Sequence, residues 1–190
     1  INELTAISTT INITDATCNG LCDGQATVTA SGGITPYTYL WDDLAAQTTA
    51  TATGLCASID SVTVTDSAGC TVVDGGTIIE PAAIVLSTSS TNSNCGQPDG
   101  SVSVSVTGGT GNYTYMWDDP GSSATASVSN IVAGTYNVTV EDGNTCVAMD
   151  AAIVNDNGGP TVTTIVDNNV SCNGGSDGQV STSILGGTGP

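Results

Sequence analysis

The sequence predicts an all-β fold built as a tandem array. Three observations predict it: a long stretch that recurs along the chain, strict period-two alternation inside that stretch, and cysteines at fixed repeat positions. The stretch is DGSVSVSVTGGTGNYTYMWDD, residues 99–119. Residues 23–43, DGQATVTASGGITPYTYLWDD, match it without a gap, and residues 177–190, DGQVSTSILGGTGP, begin it again. Asp23, Asp99 and Asp177 open the three copies, 76 and 78 residues apart, and Gly32-Gly33, Gly108-Gly109 and Gly186-Gly187 follow at one offset. A period of about 77 residues is a whole small domain, longer than the units of helical or leucine-rich solenoids. The expected division is repeat 1 at 1–81, repeat 2 at 82–160, and the N-terminal part of repeat 3 at 161–190.

The elements follow in order. Residues 4–14, LTAISTTINIT, are rich in β-branched residues and read as a first strand. Cys18 to Gly24 is a loop closed by an Asp-Gly turn. Gln25 to Ser31 alternates, with Ala26, Val28 and Ala30 on one face and Ser and Thr on the other, as in a strand with one side in water. Val102, Val104 and Val106 are the counterparts. Tyr37, Tyr39 and Trp41 share the face of the next strand, as do Tyr113, Tyr115 and Trp117. Trp41 and Trp117 are the largest side chains and are expected at the centre of each core, joined by Tyr39, Tyr115 and Tyr136. A sugar-stacking platform is the other use of such a stripe, and regular recurrence within one strand favours packing. Thr48–Thr53 and Ala124–Ser129 are short polar strands or edges. Ser61–Asp66 and Tyr136–Asp142 alternate again, and a last strand carries Thr71 to Val73 and Ile78-Ile79. About seven short strands and no helical period predict immunoglobulin-like β-sandwiches. Pro81 and Asn157-Gly158-Gly159-Pro160 end the first two repeats, and such short links predict a semi-rigid rod.

The charge narrows the chemistry. There is no Lys, Arg or His against 18 acidic side chains, a formal net charge of -18. No side-chain salt bridge can form, so each carboxylate must be solvated, hydrogen-bonded or metal-bound. Nothing neutralises phosphate, which excludes nucleic acid as a partner, and an anionic membrane surface repels the chain. No apolar run is long enough for membrane insertion in this segment, and no signal peptide is visible. The chain ends inside a repeat and so reads as a window on a longer polypeptide. High like charge favours solubility and keeps molecules apart, and trypsin-like proteases find no site. These features suit an extracellular setting.

Seven cysteines are present. Cys18, Cys95 and Cys172 share one repeat position, 77 residues apart each time, and Cys70 and Cys146 share another, in VTDSAGC and VEDGNTC. The economical expectation is Cys18–Cys70 and Cys95–Cys146 within repeats, Cys22–Cys56 as an extra bridge in repeat 1, and a partner for Cys172 outside the 190 residues. Zinc is the rival reading, but only Cys18 and Cys22 have ligand-like spacing and there is no His. A bridge closing some fifty residues stabilises by roughly 4 kcal/mol, comparable to the whole margin of a domain this small.

With these residues in place, the chain resembles the SprB repeat of giant surface proteins in gliding and related Bacteroidota. The residues that carry the likeness in repeat 1 are Cys18-Asn19-Gly20, Asp23-Gly24, Gly32-Gly33, Pro36 to Trp41, Gly54-Leu55, Val62 to Asp66 and Gly69-Cys70. In repeat 2 they are Cys95, Asp99-Gly100, Gly108-Gly109, Tyr113 to Trp117, Ala133 to Tyr136, Val138 to Val140, Asp142 and Cys146. Repeat 3 supplies Cys172 to Gly178 and Gly186-Gly187. The chain also looks like PKD-type domains. The resemblance implies a stalk or filament segment of a cell-surface adhesin, exported by type IX secretion and carried along the surface during gliding. One departure stands out: Ser58-Ile59-Asp60 replaces Gly134-Thr135-Tyr136, which puts Asp60 in an inward slot. A buried lone carboxylate is costly, so a local shift that turns Ile59 inward, or an exposed edge, is expected.

Catalysis has little to work with, since the usual general bases His and Lys are absent. The pairs Asp42-Asp43 and Asp118-Asp119 are adjacent and point apart in extended chain, unlike a glycosidase pair. The same four residues are calcium candidates, with Asp66 and Asp142 nearby, because a hard cation takes oxygen ligands; Asp at turns also bonds its own backbone. No other cofactor is implied. Asp60-Ser61-Val62 and Asp66-Ser67-Ala68 resemble a Bacteroidota O-glycosylation signature. The expected partners are neighbouring repeats, lateral copies, and external surfaces or polysaccharide. The leading reading is a structural and adhesive array, and the alternative is a glycan-binding module with recognition loops at the ends of each sandwich.

Overall fold

The computed structural model describes residues 5–187, and among these there is no helix. Repeat 1 holds β1 (Ser8–Thr14), β2 (Gly24–Ser31), β3 (Thr38–Trp41), β4 (Thr51–Leu55), β5 (Ser58–Thr65) and β6 (Thr71–Ile78). They form two three-stranded sheets of order β1-β2-β4 and β3-β5-β6, each antiparallel throughout. Leu4, placed in the first strand by its sequence, lies outside the described residues. The strand expected at 48–53 forms as β4 but starts only at Thr51, because 42–50 is spent on a turn around Asp43, and repeat 1 has six strands among the described residues.

Alternation sets what is buried. Ala26, Val28, Trp41, Ala52, Leu55, Val62, Val64 and Ile78 form one core between the two sheets. Ile7, Ile11, Ile13, Ala30, Tyr37, Tyr39 and Val72 pack around it. The polar partners Thr27, Thr63 and Thr65 stay half-exposed on the outer faces. Trp41 is 1% exposed, and its indole N–H donates to the Thr49 carbonyl at 2.9 Å, so burying the ring leaves no polar group without a partner.

Repeat 2 repeats the plan with β7 (Val85–Thr91), β8 (Ser93–Asn94), β9 (Gly100–Thr107), β10 (Thr114–Trp117), β11 (Ser127–Ile131), β12 (Gly134–Glu141), β13 (Val147–Val154) and β14 (Asp156–Asn157). The sheets are β11-β9-β7 and β10-β12-β13, with β8 and β14 as a short parallel pair. Val102, Val104, Trp117, Val138, Val140 and Val154 are buried, and the Trp117 indole donates to the Thr125 carbonyl at 2.9 Å. Tyr136 is buried and its hydroxyl donates to the Val132 carbonyl at 2.9 Å, whereas Tyr115, like Tyr39, is only half-buried. Of repeat 3, β15 (Thr161–Asn168) and β16 (Gln179–Leu185) form an antiparallel hairpin whose residues are all exposed.

The Asp-Gly and Gly-Gly pairs have physical reasons. A Cβ on Gly24 would lie 2.7 Å from Ile78 Cγ2 and 2.9 Å from the Leu55 carbonyl; on Gly100 it would meet Val154 and Ile131 at the same two distances. Gly32 and Gly108 have φ of 76° and 77°, and a Cβ there would sit 2.1 Å from the Ala6 carbonyl oxygen and 1.9 Å from that of Ala83. Only glycine fits where backbone meets backbone so closely.

Packing groups the chain into two units. One takes in everything up to Val85, with Thr107–Tyr113 and Glu141–Ala148; the other holds Leu86–Val106, Thr114–Val140 and the rest from Met149. Two turns of repeat 2 therefore pack with repeat 1, which bears directly on the cysteines.

Candidate functional site

The first unit is organised around a turn built twice. In repeat 1, Asp66 closes the β5–β6 turn: its carboxylate accepts the N–H groups of Ala68 and Cys70 at 2.9 Å each and that of Ile34 at 3.0 Å. In repeat 2, Asp142 accepts from Asn144 at 2.9 Å, Cys146 at 3.0 Å and Thr110 at 2.9 Å. Each aspartate thus ties its cysteine-bearing turn to the Gly-Gly loop. Three N–H donors per carboxylate make both acids stronger than an ordinary aspartic acid. For Asp66 the Cys70 and Ile34 amides lead. At Asp142 burial pushes the other way, and the Thr110, Cys146 and Asn144 amides outweigh it. The recurring Asp-x-x-x-Cys spacing, in VTDSAGC and VEDGNTC, is the sequence signal for this turn.

Cys146 on this turn bonds Cys18, with the two Cα atoms 5.7 Å apart and a sequence separation of 128. This corrects the pairing expected within repeats. Neither Cys18–Cys70 nor Cys95–Cys146 forms, and Cys70, Cys95 and Cys172 are exposed free thiols. The reason is the length of the strands. Cys18 follows β1 at the end where Thr14 pairs with Gln25, whereas Cys70 sits at the other end, where Asp66 meets the Gly33-Ile34 loop. Eight residues of strand separate two such ends by on the order of 25 Å, far beyond the span of a disulfide. Beside the bridge, Asn144 Nδ2 donates to the Thr17 carbonyl at 3.0 Å. A cleft of about 240 Å³ lined by Cys18, Pro81, Ala82, Ile84, Asp142 and Cys146 runs along it. The second bridge joins Cys22 to Cys56.

The four calcium candidates are occupied by the protein. Asp42 accepts from the Ser61 N–H at 2.7 Å and its hydroxyl at 2.6 Å, and Asp118 accepts from the Asn137 N–H at 2.8 Å and its amide at 2.6 Å. Asp43 accepts from Ala45 and from both nitrogens of Gln47. Asp119 accepts from Gly121 and from the N–H and hydroxyl of Ser123. These are turn-closing carboxylates, each lowered in pKa by its donors: Ser61, Gln47, Asn137 and Ser123 first in their respective cases. Among the described residues no three carboxylates or thiols gather at metal-binding spacing.

Asp60 faces inward, 8% exposed, while Ile59 points out at 77%. The expected shift of Ile59 does not occur, and the pairing explains why. Val62 and Val64 lie on the same strand face as Asp60, so a one-residue slip that buried Ile59 would turn both valines into water. Asp60 stands opposite Gly76 and accepts a hydrogen bond from the Ser58 hydroxyl at 2.8 Å. The missing tyrosine leaves a cleft of about 470 Å³, against about 300 Å³ beside Tyr136 in repeat 2. Asp60→Tyr is therefore expected to stabilise repeat 1 by about 1–2 kcal/mol, in the range of cavity-filling changes. A lowered urea midpoint in this variant would refute that account.

Acid should act through the same carboxylates. Asp23, Asp42, Asp43, Asp66, Asp99, Asp118, Asp119, Asp142 and Asp177 all sit below the usual 3.8. A depressed folded-state pKa gives stability that is present above the unfolded value and is lost as pH falls through the folded one. Protonation also relieves repulsion among the 18 acids, which works against that loss. The hydrogen-bonded set is expected to win, with a melting temperature flat between about pH 7 and pH 5 and falling below about pH 4. A temperature that climbs steadily toward pH 3 would mean that repulsion dominates.

Residues 10–46 and 87–122 both match the SprB repeat. The SprB matches start 77 residues apart, and each runs from the first strand of its repeat through the tryptophan strand into the Asp-Asp turn. No curated protein matches the chain. Among solved structures it is similar to the amphioxus IgVJ-C2 molecule, at 11% identity and a TM-score of 0.32 over 81% of this chain and 98% of that one. It is also similar to a chain of the Dpr2 Ig1-Ig2 complex with DIP-Theta Ig1-Ig3, at 10% identity and 0.30 over 87% and 65%.

Proposed function

We propose that the chain is a non-enzymatic segment of an extracellular repeat array, the stalk or filament of a large bacterial surface adhesin of the gliding type. The observation that carries this reading is the pair of SprB matches one period apart. The repeats would act by spanning distance outside the cell, with repeats 1–81, 82–160 and 161 onward as successive links. The physical features agree with that work. Disulfides persist in oxidising surroundings, uniform negative charge holds neighbouring chains apart, and the side-chain carboxylates that could have served chemistry are engaged in closing turns. The adhesive contact would be made elsewhere on the polypeptide, with polysaccharide or another external surface, after export by type IX secretion.

Antibodies to residues 1–190 are expected to label intact, unpermeabilised cells, and the purified segment is expected not to retain surface polysaccharides. Labelling only after permeabilisation would defeat the reading. Saturable binding of the segment to a defined glycan would favour recognition loops at the sandwich ends instead.

A further inference from the structure

The cysteines fall into two classes by place in the fold: Cys18, Cys95 and Cys172 follow the first strand of a repeat, while Cys70 and Cys146 ride on the Asp-anchored turn. The bridge in the structure takes one of each class from consecutive repeats, Cys18 from repeat 1 and Cys146 from repeat 2. We infer that Cys95 and Cys70 are open halves of further bridges of this kind. Cys95 takes the turn cysteine of repeat 3, and Cys70 takes the first-strand cysteine of a repeat preceding repeat 1.

Both halves are built and positioned as in the bridge already closed. The Cys70 turn has the hydrogen bonds of the Cys146 turn, donor for donor: two amides from the turn itself and one from the Gly-Gly loop. Its cysteine is exposed at the tip. On the other side, a Cβ on Gly159 would meet the Cys95 sulfur at 3.4 Å, and Gly159 is the counterpart of Ala82, which lines the cleft beside Cys18 and Cys146.

Gly33 donates its N–H to the Thr5 carbonyl and Gly109 donates to that of Ala82, both at 2.8 Å, so a Gly-Gly loop seats on the segment leading into its own repeat. In repeat 3 the approach is looser: a Cβ on Gly186 would lie 3.9 Å from the Gly159 carbonyl oxygen and one on Gly187 3.3 Å from the Pro160 ring, which sets the third Gly-Gly loop beside the corresponding segment. In repeat 2 the aspartate that holds this loop also holds the bridging cysteine. The same arrangement in repeat 3 delivers its turn cysteine to Cys95. This inference depends on the register of the repeats and stands whether or not the array is adhesive.

Each closure is a thiol–disulfide exchange. One cysteine thiolate attacks the disulfide of a dithiol–disulfide oxidant, and the second thiolate displaces the oxidant from the mixed disulfide. One S–S bond forms and one breaks; two protons and two electrons pass to the oxidant, which leaves as two thiols. Successive bridges then overlap along the chain, so every linker lies inside a covalent loop. An array pulled from its ends carries load through sulfur instead of paying out its linkers.

The test is disulfide mapping of the native full-length protein. Free thiols are capped with N-ethylmaleimide, and the chain is cut at Asp and Glu without reduction, since residues 1–190 have no Lys or Arg for trypsin. Mass spectrometry should find Cys95 joined to an Asp-x-x-x-Cys turn further along, near the 128-residue separation of Cys18 and Cys146. Cys70 should be joined to a cysteine as far upstream. Maleimide on Cys95 or Cys70, a Cys70–Cys95 bond, or a Cys95–Cys172 bond overturns the inference. As an independent check, residues 1–190 alone should take up maleimide at Cys70, Cys95 and Cys172 without denaturation; loss of any of these to a bond within the segment overturns it as well.

Discussion

A Cys18→Ser, Cys146→Ser double variant is expected to lose about 5 kcal/mol of stability in the unit that holds both residues, the chain-entropy value for a loop of 128 residues. Replacing both partners avoids leaving a reactive thiol beside Asn144. The loss is large because that unit is small: at roughly 0.05–0.15 kcal/mol per residue, a domain of this size holds on the order of 5–15 kcal/mol in all. The Cys22–Cys56 bridge closes 34 residues and contributes about 4 kcal/mol on the same scale. Cys70→Ser is the matched control, expected to shift stability in the segment by less than about 0.5 kcal/mol, because an exposed free thiol holds nothing there. Urea unfolding followed by hydrogen exchange in β2 and β5 reads the effect where it occurs. A double variant within about 1 kcal/mol of the parent would show that packing, and not the cross-link, holds the turn in place.

What was readable in the sequence, and what was not, divides along a physical line. Periodicity acts locally. The alternation of Val62 and Val64, or of Val102 and Val104, states which face of a strand is dry, and the buried residues follow it. Asp60 fits the same logic more strictly than its chemistry suggested: two valines outweigh one carboxylate in setting the register, and the cost is met by a Ser58 hydrogen bond and an open cleft. Disulfide pairing is not local. Equal spacing assigned Cys70 and Cys146 to one position correctly, yet spacing carries no information about which end of a sandwich a position occupies. That had to come from the strand order, and even then only once the linker at Pro81 set repeat 2's turns against Cys18. The acidic pairs show a third case. Asp42, Asp43, Asp118 and Asp119 read equally well as cation ligands or turn closers from sequence, and the donors that decide between the two, such as Gln47 and Asn137, are four and 19 residues away.

Trp41→Ala is expected to remove most of the stability that repeat 1 has. The indole is 1% exposed between Val28, Leu55, Val62 and Ile78, and truncating a buried tryptophan costs about 3–5 kcal/mol through lost contacts and the cavity left behind. A further cost of about 1 kcal/mol or more comes from the Thr49 carbonyl, which loses its indole donor. Collapse cannot recover much, because Ala26 and Ala52 are already the smallest side chains facing the gap. The variant also makes its own reporter: Trp117 becomes the only indole, and its emission follows the other unit. Exchange of the Val62 and Val64 amides should accelerate strongly, while Leu44→Ala, at a site in full contact with water, should leave them unchanged. A W41A chain that keeps its exchange protection within about 1 kcal/mol of the parent would mean the sheets are held by their edges and bridges.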